Sequence, residues 1–187
     1  MFEKEKWPAG TLLAPVPAVL ISCGDMEKSN ILTVAWTGII NSDPAKTYIS
    51  IRKERYSYDI IKNTKEFVIN LTTKDLVFAT DFCGVRSGKN IDKFKEMKLS
   101  KQPGKEVKVP LIGESPINIE CRVTDIVELG SHDMFISDIL CVDVAKDLVD
   151  DKGKLDLTKA NLIAYSHGEY FTLGEKLGKF GFSVKKK

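Results

Sequence analysis

The most constraining feature of this chain is its rhythm: short apolar or alternating runs, punctuated by turn residues, with few stretches long enough for a sizeable helix. Ala18-Val19-Leu20-Ile21-Ser22 reads as a buried strand that Gly24-Asp25 ends. Ile31 to Ile40 reads as a second strand, ended by Asn41-Ser42-Asp43-Pro44. Thr47 to Arg52 alternates, with Ile49 and Ile51 on one face and Tyr48, Ser50 and Arg52 on the other. Phe67 to Leu71 is a further strand. Ile117, Ile119, Cys121 and Val123 alternate with polar residues, and a slip of phase at Asp125-Ile126-Val127 predicts a β-bulge. After the turn Gly130-Ser131-His132-Asp133, Met134 to Val144 returns as the second arm of a long antiparallel hairpin. Ala160 to Ala164 is strand-like.

The helices are few and short. Ser57 is placed to cap Tyr58 to Asn63, Thr73 a helix running to about Phe82, and Asn90 a helix from Ile91 to Met97. Cys83 to Lys89 reads as loop, Asp150 to Lys154 as a polar turn, and the basic tail 176–187 as a segment that frays. Lys98 to Pro110, with its lysines, glycine and prolines, reads as a solvated surface loop, with a lid or anion-facing loop as the alternative. At least six strands, joined by connections too short for repeated βαβ crossovers, predict a mainly β chain with short accessory helices. A closed or nearly closed antiparallel barrel fits best. The 187 residues suit one domain over 1–187, with no internal repeat or linker to divide it.

Composition narrows the function. Lys and Arg number 28 against 26 Asp and Glu, a net charge of +2. Nucleic-acid binding, which needs surplus phosphate-neutralising charge, is not expected. No apolar run approaches the roughly 20 residues of a membrane span, and the charged start Met1 to Trp7 lacks a signal-peptide core. A cytoplasmic location is the expectation. Cys23, Cys83, Cys121 and Cys141 form no CxxC pair and, with only His132 and His167, no zinc pattern. Separate reduced thiols and no metal are expected. Gly84-Val85-Arg86-Ser87-Gly88-Lys89 fails as a P-loop, because its glycine spacing is one residue short and Asn90 stands where Ser or Thr is needed. No GxGxxG follows a strand. Asn70-Leu71-Thr72 is a glycosylation sequon of no use in a cytoplasmic chain. No Ser sits in a G-x-S-x-G elbow, although residue counts leave a Ser-His-Asp triad open.

One stretch carries chemistry. A strand delivers Ser50 and Arg52 on one face, Arg55 and Ser57 follow, and a helix begins at once. Free N–H groups at a helix start favour an anion, and Arg grips phosphate with paired hydrogen bonds. Tyr56 and Tyr58 add aromatic surface, so a phosphate on an aromatic group suits the mixture. An ordinary helix start with exposed arginines is the alternative. Arg86, Ser87 and Lys89 form a second basic cluster, or a solvated loop.

These residues resemble the flavin reductase-like family of FMN-binding split barrels, above all its flavoredoxin-type members. The resemblance rests on several stretches, in order from about Thr11 to Gly174: Pro15 to Ser22 followed by Asn30-Ile31-Leu32-Thr33-Val34-Ala35-Trp36-Thr37-Gly38; Asp43-Pro44 with Ser50-Ile51-Arg52 and Arg55 to Ile61; Phe67 to Leu71; Asn90 to Phe94; Gly130 to Ile136; and His167 to Gly174. Ser131 departs from the family's usual acidic residue.

The resemblance implies a Greek-key antiparallel split barrel with its core at about 11–174, and FMN bound at a homodimer interface. Asn30 opens the flavin-contacting strand. Thr33, Ala35, Trp36 and Thr37 would line the isoalloxazine and ribityl chain. Ser50, Arg52, Tyr56, Ser57 and Tyr58 would hold the phosphate end. Ser87, Gly88 and Lys89 would approach from their loop. His132 would stand near the flavin face as the catalytic candidate. The expected activity is an NAD(P)H-dependent flavin reductase that passes hydride to FMN and electrons onward to free flavin or a redox protein. The alternatives are a flavoredoxin-like electron carrier that does not use NAD(P)H directly, and a non-catalytic ligand- or protein-binding barrel.

Overall fold

The computed structural model describes residues 1–184. Its elements in chain order are β1 (Val16–Pro17), β2 (Val19–Gly24), β3 (Ser29–Val34), β4 (Thr37–Ser42), β5 (Ala45–Ile51), α1 (Tyr56–Thr64), β6 (Glu66–Asn70), α2 (Val77–Val85), α3 (Lys93–Glu96), β7 (Lys101–Gln102), β8 (Leu111–Ile112), β9 (Ile117–Glu128), β10 (Asp133–Val144), β11 (Ile163–Ser166) and β12 (Glu169–Thr172). Single 3₁₀ turns lie at Lys146–Leu148, Leu157–Ala160 and Phe182–Val184. No helix among the described residues is long and apolar enough to cross a membrane.

Seven strands form one antiparallel sheet in the order β3-β2-β6-β9-β10-β5-β4. Its two edge strands are halves of one segment, separated only by Ala35 and Trp36. β3 pairs with β2, whereas β4 pairs with β5, and the Trp36 carbonyl already accepts the Ser50 N–H at 2.8 Å. The segment therefore changes partner at its bend and closes the sheet into a split barrel. Ile31 to Ile40 is thus not the single strand expected, since no straight strand can serve both edges. β6 returns beside β2 after the β2, β3–β4, β5 run, which is Greek-key connectivity.

The alternation of the strands builds the interior. Val19, Ile21, Cys23, Leu32, Val34, Ile49, Ile51, Phe67, Ile69, Cys121, Val123 and Phe135 point inward, and α1 closes the barrel with Tyr58 and Ile61. The outer face of β2 is also covered, with Leu20 packed against Cys83 of α2 and Phe94 of α3. At the β2–β3 turn, Gly24 has φ +93°, and a Cβ there would stand 2.2 Å from the Lys28 carbonyl oxygen. Only glycine suits that turn.

The long hairpin of β9 and β10 forms as expected, with a bulge at Thr124, one residue before the predicted slip, and a second at Leu140. The second bulge lets Leu140 pack with Val68, Val107 and Leu111 outside the barrel.

Several local expectations are corrected. Ser57 does not cap α1. The helix starts two residues earlier, at Tyr56, after Arg55 in extended backbone with no side-chain cap, and Ser57 is buried in its first turn. α2 continues through Cys83 to Val85, because its apolar residues have β3 to pack on. α3 is capped by Asp92, whose carboxylate accepts the Lys95 N–H, and not by Asn90. The Lys98–Pro110 segment is only partly a solvated loop, since Val107 and Val109 are buried in a small outer core. The end of the basic tail, 185–187, lies outside the described residues.

Candidate functional site

The bend at Ala35–Trp36, the end of β5, the start of α1 and the end of α2 converge on one trough. Two chambers share Leu32, Arg52 and Arg55 as a common wall. The first, of about 230 Å³, is bordered by Thr33, Ala35, Trp36, Ser50, Arg52, Gly84, His132, Tyr165 and Tyr170. The second, of about 430 Å³, is bordered by Asn30, Arg52, Glu54, Arg55, Tyr56, Ser57, Arg86, Ser87, Gly88 and Lys93. One end therefore gathers aromatic and hydroxyl groups, and the other has Arg52, Arg55, Arg86 and Lys93 against the single carboxylate of Glu54.

The cationic chamber is short of counter-charge. Arg52 pairs with Glu54 at 3.4 Å, both well exposed. Arg55, Arg86 and Lys93 have no carboxylate within ion-pair distance among the described residues. The start of α1, which has no side-chain cap, borders the same space through Tyr56 and Ser57. Such a surface binds an anion.

Close packing shapes this end. Asn30 is buried, and its Nδ2 donates to Ser57 Oγ at 2.8 Å, tying β3 to α1. A Cβ on Gly88 would stand 1.9 Å from Asn30 Oδ1, so the loop lies against β3 only because residue 88 is glycine.

At the other end, the Thr33 hydroxyl donates to the Thr80 carbonyl at 2.5 Å and fixes β3 to α2. Tyr165 and Tyr170, on the small β1-β11-β12 sheet, bring their ring centres to 5.5 Å with the planes tilted by 60°. Tyr170 donates to Asp81 at 3.3 Å, and burial together with that carboxylate pushes its phenol up to about 12. His132 sits in the β9–β10 turn with Nδ1 2.9 Å from Ser131 Oγ. Burial lowers its pKa, as do the nearby Arg52 and Arg55 guanidiniums, with Glu54 opposing them. Its imidazole is therefore neutral at pH 7 and able both to donate and to accept.

A separate groove of about 410 Å³ lies beyond Trp36, Ser50 and His132, and its other borders are Thr11, Leu13, Val16, Ala35, Thr37, Tyr48, Leu129 and Ser131. Among the described residues, no Lys, Arg, Asp or Glu borders it.

The trough gathers most of the residues singled out from the sequence, with three exceptions. Thr37 borders only the uncharged groove, and its hydroxyl donates to the Tyr48 carbonyl. Tyr58 is corrected to a core residue. It lies on the inward face of α1, packs edge-on against Phe135 and donates to the buried Asp133 at 2.5 Å. Lys89 is exposed outside the chamber wall. Sequence reasoning missed Lys93, Tyr165 and Tyr170 as wall residues. Lys93 carried a signal in its place beside Asp92 and Phe94, but nothing local says that a lysine there turns inward.

Among the described residues, Glu120, Cys141 and Asp143 form a cluster of potential metal ligands. Glu120 already accepts the N–H groups of Lys105, Glu106 and Val107 at 2.8 Å, and Asp143 pairs with Lys105 at 2.5 Å. These carboxylates serve as staples for the 103–109 segment.

A family model described as "Flavin reductase like domain" matches residues 12–174. Flavoredoxin of Desulfovibrio vulgaris is 33% identical and superposes with a TM-score of 0.90, covering 98% of this chain and 100% of that one. Flavoredoxin from Methanosarcina acetivorans is 26% identical with a TM-score of 0.86, again over 98% and 100%. An uncharacterized protein of Archaeoglobus fulgidus is 34% identical over 86% of this chain and 89% of its own length.

Proposed function

This chain belongs to the flavin reductase-like family of flavoproteins, and on that premise we propose that it is an FMN-binding oxidoreductase that draws electrons from NAD(P)H. The acceptor would be free flavin or a redox protein. The observation that carries the reading is the polarity of the trough, cationic at one end and aromatic at the other.

The residues present fit FMN. Three cations without carboxylate partners and the open start of α1 suit its phosphate. The Gly88 backbone, pressed onto Asn30, leaves the loop room to follow a ligand closely. Ala35, Trp36, Tyr165 and Tyr170 suit a planar ring system. When bound, FMN supplies the redox chemistry. The chain's share is to bind and orient. Arg52, Arg55 and Arg86 hold the phosphate end, while Trp36 and the tyrosines exclude water from the ring end. His132, neutral and at the wall shared by the ring chamber and the uncharged groove, offers a hydrogen bond there.

A homodimer is part of the proposal. Phe2 is 91% exposed, Leu13 84% and Leu177 87%, on segments outside any strand or helix. A second copy would cover them.

A second reading has its own support. Among the described residues, the groove next to His132 holds no Lys or Arg to neutralise a dinucleotide pyrophosphate. That favours a flavoredoxin-like carrier whose donor is another redox protein. Anaerobic mixing of the FMN-loaded protein with NADH and NADPH separates the two. Bleaching of the flavin band by either nucleotide supports the reductase, and no bleaching by both rejects it.

A further inference from the structure

Asp133 opens β10 and is fully buried. Its Oδ2 accepts the Tyr58 hydroxyl at 2.5 Å and lies 3.5 Å from Lys53 Nζ, while its Oδ1 has no hydrogen-bond partner among the described residues. A carboxylate inside an apolar barrel, with one oxygen unpaired, is a costly choice of side chain. An apolar residue would fill the position at less cost. What the carboxylate adds is the set of elements it ties together.

Tyr58 reaches Asp133 from α1, and Lys53 reaches it from the turn between β5 and α1. Lys53 also pairs at 3.1 Å with Glu128, the last residue of β9. One half-exposed lysine therefore holds both feet of the β9–β10 turn. Residues 129–131 are exposed, and the turn closes through the Leu129 N–H, which donates to the His132 carbonyl at 3.1 Å. With so little burial of its own, the turn is placed by its feet. His132 is next in sequence to the buried foot and borders the ring chamber, whereas Asp133 does not border it.

We propose that Asp133 is the positioning residue for His132, its ties to Tyr58 and Lys53 fixing the turn so that the imidazole stands at the chamber wall. The inference rests on the flavin reading and adds to it how the imidazole is held. Asp133 is sealed in the barrel, so it acts through His132 and not on a ligand.

The test is a double-mutant cycle on the anaerobic reduction of the FMN-loaded protein by NADH or NADPH. In the native background, Asp133→Asn should slow reduction about 10-fold, with FMN affinity changed less than about 2-fold. In a His132→Ala background the same substitution should slow it less than about 2-fold, because the group it acts through is gone. Equal slowing in both backgrounds would make Asp133 a general structural residue and overturn the proposal, as would unchanged reduction in the native background. If Asp133→Asn fails to fold, Lys53→Gln, at a half-exposed position, is put through the same cycle with the same two overturning results. If the protein retains no FMN, or neither nucleotide reduces it, the functional reading fails, and the His132 imidazole decides the positioning role. In NMR titrations with His167 as the internal reference, Tyr58→Phe, which keeps the Asp133 carboxylate, should raise the His132 midpoint as the turn loosens from Arg52 and Arg55 and Glu54 moves with them. An unchanged midpoint overturns the proposal.

Discussion

At the residue scale, position and environment decide what each side chain can do. Tyr56 and Tyr58 look alike in the sequence, two residues apart on a helix start. One borders the chamber, and the other is sealed in the barrel against Asp133. The helix turn, not residue type, separates them. Lys93 shows the converse. A lysine between Asp92 and Lys95 reads as solvent-facing, yet it is buried because β3 and α2 present two carbonyls to it. His132 gives a measurable consequence. Burial first, then Arg52 and Arg55, hold its pKa below 6.5. The unfolded chain therefore binds the proton more readily, and stability that is full above pH 6.5 is lost as the pH falls through the folded midpoint. NMR titration of the imidazole should place that midpoint below 6.5, and Arg52→Ala should move it upward. A native midpoint at or above 6.5 contradicts this description of the turn.

Element by element, the strands were legible and the seams between them were not. Alternation in β5 and β9 is a local property, and it predicts which face is buried. The change of partner at Ala35–Trp36 depends on β2 and β5, which are distant in sequence from each other, so the run Ile31 to Ile40 looked continuous. The same holds for the 103–109 segment. Its lysines read as a solvated loop, but a carboxylate fifteen residues downstream gathers three of its N–H groups. Replacing that carboxylate should show its weight. Glu120→Ala leaves the buried Val107 N–H without a partner and frees its two neighbours, at a cost of about 2–4 kcal/mol in urea unfolding. Proteolysis within 103–109 should quicken. A loss under about 0.5 kcal/mol, within the range of ordinary surface changes, would show that the staple is dispensable.

For the whole molecule, the sequence made the barrel readable through its many short strands. The ordered resemblance made the family readable from the sequence itself. What it could not make readable is how the trough assembles. Asn30, Arg52, Gly88, Lys93 and Tyr170 come from five separate elements or loops, and no spacing rule links them. The small net charge of +2 concealed a chamber with three cations that lack carboxylate partners among the described residues. The exposed apolar terminal segments lead to a prediction at this scale too. Light scattering of the purified protein should give twice the chain mass of 20.9 kDa. A single-chain mass with FMN bound would remove the partner copy from the account.

The central claim is that this trough holds FMN and turns it over with NAD(P)H. The most direct measurement is the visible absorbance spectrum of the protein mixed with FMN and freed of excess ligand, taken before and after anaerobic addition of NADH or NADPH. The account predicts a protein-bound flavin band that bleaches on addition of one of the nucleotides. A colourless protein that retains no FMN would contradict it.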